Sequence, residues 1–181
     1  ITNNFWNGIF LHDSSNYNSI SENNITNNAY GIYLGHSSNY NSISGNNITD
    51  NFCYGIYIGS SIGSSSDNSI SENTITNNGY DGIQVDHGSS NNKFYHNNFI
   101  NNGVRVAPHT EDLANVWDDG YPSGGNYWSD YVGVDVKSGR NQDLPGSDGI
   151  GDTPYTIDAD NVDHYPLMNP FIRVRMPGDI N

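Results

Sequence analysis

The chain has 181 residues, enough for one domain or one domain with an appendage. Its 20 acidic and 6 basic residues give a net charge of −14, which argues against nucleic acid or an anionic membrane surface as partner and suits a chain that meets salt or divalent cations. Hydrophobic residues make up only 34%, but charged ones only 14%, and the polar bulk is Asn, Ser and Gly, which is not a disordered composition. A single cysteine, Cys53, excludes an internal disulfide framework, and no apolar run is long enough to span a membrane.

Three short strings recur along the chain. I-T-N-N or a near copy begins at Ile1, Ile25, Ile48, Ile75 and Phe99, with steps of 24, 23, 27 and 24 residues. G-I-x-[LIV] begins at Gly8, Gly31, Gly55 and Gly82, and N-S-I-S-x-N at Asn18, Asn41 and Asn68, with a variant at Asn92. All share one period and all absorb the same insertion near Ser60–Ser66. Within each string apolar and polar residues alternate, as in a half-buried strand, and Asn, Gly and Ser clusters between them make turns. Strands this short bury a face only by stacking coil on coil. The pattern predicts an all-β, right-handed parallel β-helix of about 23–24 residues per coil, occupying residues 1–106. Asn23, Asn46, Asn73 and Asn97 recur at one turn and predict a hydrogen-bonded amide ladder along the stack.

Aligning the coils on G-I-x-[LIV] predicts side-chain columns. Alternation puts Gly8, Gly31, Gly55 and Gly82 outside, beside a second outward column of Phe10, Tyr33, Tyr57 and Gln84. A bare strip beside exposed rings suits the apolar faces of sugars, so Phe10, Tyr33 and Tyr57 are candidate carbohydrate-binding residues. Nearby His12 and His36, with Asn7, would supply hydrogen bonds to hydroxyls. His12, Asp13, His36, Asp86 and His87 share one edge, but a Ser/Gly coil separates the two His/Asp coils, so these side chains are read as turn caps and solvated histidines rather than as a tight metal cluster. Lys93, with Arg105 just beyond the coils, is too little cationic chemistry for a polysaccharide lyase, and the coils are read as non-catalytic.

Residues 107–172 read as an irregular, aspartate-rich cap. Trp117, Tyr127, Trp128 and Tyr131 are expected to seal the open end of the stack. Asp143, Asp148 and Asp152 lie in D-L-P-G-S-D-G-I-G-D, where glycines let oxygens fold round a hard cation, so they are candidate Ca²⁺ ligands, set against the ordinary Asp-Gly turn. Residues 173–181 read as a linker.

The N-x-I-x-x-N and G-I-x-L coils resemble the NosD-like family, also described as carbohydrate-binding and sugar-hydrolase β-helix modules. N-V-W-D-D-G-Y-P-S-G-G-N-Y-W-S-D-Y, Q-D-L-P-G-S-D-G-I-G-D-T-P-Y-T-I-D and D-H-Y-P-L-M-N-P-F are similar to the C-terminal segment of NosD-like surface proteins, many of them archaeal. The closing P-G-D-I-N is similar to the start of a dockerin-type calcium module. The resemblance implies an exported β-helix on the cell surface or secreted, and since the chain opens in mid-pattern, a piece of a larger protein. It implies little about activity, because the family spans copper-site maturation proteins, adhesins and sugar-active enzymes; its copper role is assigned to no residue here. The expected function is non-catalytic binding of carbohydrate or another cell-envelope polymer. Two alternatives stay open: a structural module that self-associates along the solenoid axis, and a fragment of a polysaccharide lyase or hydrolase.

Overall fold

The computed structural model describes residues 1–60, 63–86, 88–106 and 114–173. Four successive coils each contribute three short strands. The first coil holds β1 (Asn7–Leu11), β2 (Ser19–Ser21) and β3 (Asn24–Thr26); the second holds β4 (Tyr30–Leu34), β5 (Ser42–Ser44) and β6 (Asn47–Thr49). The third holds β7 (Tyr54–Ile58), β8 (Ser69–Ser71) and β9 (Thr74–Thr76), and the fourth β10 (Asp81–Val85), β11 (Lys93–Tyr95) and β12 (Asn98–Ile100). β13 (Gly103–Val106) and β14 (Tyr127–Trp128) extend two of the resulting sheets. The orders are β1-β4-β7-β10-β13, β2-β5-β8-β11 and β3-β6-β9-β12-β14, and every neighbouring pair is parallel. The molecule is the right-handed parallel β-helix that the repeats predict.

The register stacks like on like. Ile9, Ile32, Ile56 and Ile83 pair down the first sheet, and Ile25, Ile48, Ile75, Phe99 and Trp128 down the third. From the second coil onward these side chains are essentially inaccessible to water. A narrow core is thus enough for a polar sequence, with two buried side chains from each inner strand of the first sheet (Ile32 and Leu34, Ile56 and Ile58, Ile83 and Val85) and one from each strand of the other two.

Asparagine satisfies the corners, at three of them rather than at the single one expected. In the ladders Asn4–Asn28–Asn51–Asn78–Asn102, Asn18–Asn41–Asn68–Asn92–Asn115 and Asn23–Asn46–Asn73–Asn97–Asn126, each residue donates its backbone N–H and side-chain amide to Oδ1 of the next, at 2.7–3.2 Å. Amide bonds of this kind leave no buried donor orphaned inside the corner.

The glycine column corrects the sequence reading. Gly8, Gly31, Gly55 and Gly82 do not face outward. A Cβ on Gly31 would stand 2.5 Å from the Gly55 carbonyl oxygen, 2.8 Å from Ile48 Cγ2 and 3.0 Å from Asn51 Nδ2. The strand bends at the glycine, so Gly31 and Ile32 both turn inward and strict alternation fails.

The coil frame runs on past residue 106. Asn115 and Asn126 continue two ladders, Trp117 stacks on Phe94 with centroids 4.2 Å apart, and Trp128 stacks on Phe99 at 4.4 Å. Both ladders end in the cap: Asn115 donates to Asn161 Oδ1 at 3.3 Å, and Asn126 to Asp163 Oδ2 at 2.7 Å. The two indole N–H groups join them, Trp117 on Asn161 and Trp128 on Asp163, each at 2.9 Å. The cap itself holds two short antiparallel pairs, β15 (Lys137–Ser138) with β16 (Leu144–Pro145) and β17 (Tyr155–Thr156) with β18 (Val162–Asp163). The C-terminal end of the stack is therefore covered, while β1 and β2 each have a sheet neighbour on one side only. Beyond the cap the chain returns along the coils, where Phe171 stacks on His96 and Arg173 bonds to Glu22 at 2.7 Å and to Glu72 at 3.2 Å. The rest of the expected linker and the P-G-D-I-N string lie outside the described residues.

Candidate functional site

The bend at each glycine decides what the first sheet presents to solvent. Because Gly31 and Ile32 both face in, Tyr30 and Tyr33 both face out, and Tyr54 and Tyr57 repeat the arrangement one coil on. Two aromatic columns result. One contains Phe10, Tyr33 and Tyr57, with 4.9 Å between successive ring centroids; the other contains Tyr30, Tyr54 and Tyr80, at 5.7 and 5.6 Å. Tyr30–Tyr33 and Tyr54–Tyr57 contacts, both 5.6 Å, join the columns into one field. Phe10 at 47% and Tyr80 at 67% exposure are its open margins. Gln84, expected to continue the first column outward, is buried at 5% and closes it.

The rings do not form a flat ribbon. Successive planes are tilted by 43° between Phe10 and Tyr33 and by 83° between Tyr33 and Tyr57, so the surface is faceted. Burial among the rings raises the hydroxyl pKa of Tyr30, Tyr33 and Tyr57 above the ordinary phenol range. At Tyr57 the Asp86 carboxylate, which accepts its hydroxyl at 3.2 Å, adds to the rise. These phenols stay protonated and serve as neutral donors.

At the edge beside Phe10 the structure again departs from the sequence reading. His12, Asp13 and His36 form a tight group, with the ligand atoms they offer all within 4.8 Å of one another. Asp13 is clasped between two imidazoles: Oδ2 lies 2.9 Å from His12 Nδ1 and Oδ1 lies 3.4 Å from His36 Nδ1. The rings of His12 and His36 lie 3.9 Å apart, and His12 also touches Phe10 at 4.7 Å. Asp13 stands directly over His36 in adjacent coils, and His12 precedes Asp13, so two coils suffice and the intervening Ser/Gly coil is irrelevant. Asp13 and His36 both adopt left-handed backbone, with φ of 52° and 54°, fixed by the Ser14 N–H to His36 carbonyl bond of 2.9 Å. His87 lies outside the described residues.

The cap aspartates are placed differently. Asp148 accepts Gly139 N–H at 3.2 Å, Ile150 N–H at 3.1 Å and the Gln142 amide at 3.1 Å. Asp152 accepts the N–H groups of Val136 and Lys137, each at 3.1 Å. Asp135, which lies outside the D-L-P-G-S-D-G-I-G-D string, accepts those of Asp148 and Gly149 at 3.1 and 2.9 Å. Among the described residues Asp143, Asp148 and Asp152 do not gather into one cation-sized group. One further polar constellation, Lys93, His96, Asp119 and Ser123, is not a hydrolytic triad, because Asp119 takes the Ser123 hydroxyl at 2.7 Å instead of orienting His96.

A family model described as "Periplasmic copper-binding protein (NosD)" matches residues 1–133. The chain belongs to the NosD family. A relative named "Probable ABC transporter binding protein NosD", from Stutzerimonas stutzeri, is 36% identical over 96 residues, which are 52% of this chain and 19% of that protein. The aligned stretch thus spans about a fifth of the relative's length. No solved structure gives a significant match. Membership of a family described as periplasmic makes this an extracytoplasmic β-helix protein. Among the described residues, no helix is long and apolar enough to cross a membrane.

Proposed function

We propose that this NosD-family β-helix is a non-catalytic module that binds a carbohydrate or related cell-envelope polymer across its first sheet. One observation carries the reading: six aromatic rings on an outward sheet face form a continuous field that the core does not need. Apolar faces of sugar rings pack on such facets, and the tyrosine hydroxyls donate to sugar oxygens. The tilted rings suit successive residues of a twisting chain, each making a contact of about 1 kcal/mol. The net charge of −14 disfavours an anionic polymer, and retention of a neutral one should vary little with salt. Affinity electrophoresis through neutral polysaccharides tests this. The wild type should be retarded, more so as chain length grows, and the Tyr33→Ser/Tyr57→Ser pair should lose about 2 kcal/mol of binding, roughly thirty-fold. Equal retardation of the pair, or none for the wild type, sinks the proposal and leaves a structural module whose rings serve one another.

A second reading comes from the family description, which names copper binding. The grouping of His12, Asp13 and His36 favours it here, since two imidazoles and a carboxylate are donors suited to copper or zinc.

A further inference from the structure

We infer that His12, Asp13 and His36 form a built site for one borderline divalent cation, Cu²⁺ or Zn²⁺, at the coil edge that adjoins the aromatic field. The inference gives the copper reading a location and is independent of carbohydrate binding.

Three features separate this group from ordinary surface histidines. The first is convergence: donors from two coils meet within 4.8 Å, a separation that small side-chain rotations close to the spacing of ligands on one ion. The second is charge. The two imidazole rings lie 3.9 Å apart and both turn Nδ1 to the Asp13 carboxylate. A divalent cation at this point would take ring nitrogens as ligands and offset the negative charge of the carboxylate. The third is rigidity. Asp13 and His36 occupy matching left-handed positions in stacked turns, and the Gly35 N–H bond to the Leu11 carbonyl, at 2.9 Å, locks the coils together beside them. Little ordering is then left for binding to impose.

Donor type selects the metal. Imidazole disfavours Ca²⁺ and Mg²⁺, which take oxygen shells, and the ordinary order of stability puts Cu²⁺ above Zn²⁺. Asp13 is largely exposed and the histidines partly so, which leaves the outer side of the ion open to water or to a further ligand. Among the described residues no hydrogen bond engages Nε2 of either ring, so both imidazoles have donor capacity beyond the clasp on Asp13.

The metal-free protein should be titrated with Cu²⁺ and Zn²⁺ chlorides by calorimetry, with no polymer present, and the Cu²⁺ form examined by electron paramagnetic resonance. One tight ion per chain is expected, with hyperfine coupling to two imidazole nitrogens. His36→Gln and Asp13→Asn should each weaken binding at least about tenfold, and His36→Gln should reduce the coupling to one nitrogen. Both variants should keep the wild-type circular dichroism, because neither side chain belongs to the core. Undiminished binding in a His12→Gln/His36→Gln variant places the copper elsewhere and overturns the site while sparing the copper reading. Failure of the wild type to bind either ion overturns both. Neither result touches carbohydrate binding, which is measured in chelator.

Discussion

At Gly55 a single hydrogen decides the shape of the coil. A methyl group there would meet the Gly82 carbonyl oxygen at 2.6 Å, Asn78 Nδ2 at 2.9 Å and Ile75 Cγ2 at 3.0 Å, the first backbone of the neighbouring strand and the second part of a corner ladder, neither free to move aside. Gly55→Ala should therefore destabilise the protein by about 1–3 kcal/mol, in the range of core overpacking, measurable as a lower midpoint in urea. A glycine strip facing solvent, as alternation predicts, would instead tolerate alanine with no loss. The same bend explains what was and was not legible in the aromatic field. Phe10, Tyr33 and Tyr57 were visible as a column because they stand two residues after the glycine. Tyr30 and Tyr54, one residue before it, do not join that column in the sequence, since a period of two sets them on the opposite face. The Y-G-I-Y strings at 30–33 and 54–57 carry the missing signal, but it is legible only once the strand is known to bend at the glycine.

Among the elements, strands and turns were legible because each coil repeats its neighbour, and the ladder at Asn23, Asn46, Asn73 and Asn97 followed from the same register. The other two ladders have equally regular spacing and needed only the inference that every corner must satisfy its amides. The cap was harder, since a loop without repeats offers no second copy to compare. D-L-P-G-S-D-G-I-G-D suggests a calcium loop by composition, whereas most partners of its Asp148 and Asp152 carboxylates come from residues 136–142, which no local pattern connects to them. Asp135, Asp148 and Asp152 take backbone N–H groups across the loop, so the loop is held together by its own amides. Chelation by EGTA should accordingly leave the melting temperature unchanged. A fall of several degrees, restored by added Ca²⁺, would show that an ion shares these oxygens, since a ligand of the native state alone stabilises it. Asp152→Ala should lower the midpoint with or without chelator, by about 1 kcal/mol, since the exposed N–H groups of Val136 and Lys137 turn to water when the carboxylate is gone.

For the whole molecule, stability and pH are tied through the place where the stack ends. Asp163 is fully buried and closes the third ladder, accepting Asn126 N–H at 2.7 Å, the Trp128 indole at 2.9 Å and Tyr165 N–H at 3.0 Å. Burial pushes its pKa up to about 7, although the three N–H donors pull the other way. A carboxyl whose folded pKa lies above its unfolded value binds its proton more tightly when folded. Its contribution is therefore complete below about pH 4 and is lost as pH rises through about 7. The surplus of 14 negative charges acts in the same direction, since acid relieves its self-repulsion. Asp119, held below the usual carboxylate range chiefly by its bond to Lys93, opposes the trend only where it protonates, below the ordinary carboxylate range. The protein should melt several degrees higher at pH 5 than at pH 8. Asp163→Asn should lower stability at pH 5, because the amide sets a donor against Tyr165 N–H, and should flatten the slope between pH 5 and 8. An unchanged slope in that variant would assign the dependence to the charge surplus alone, which added salt would then reduce in both proteins.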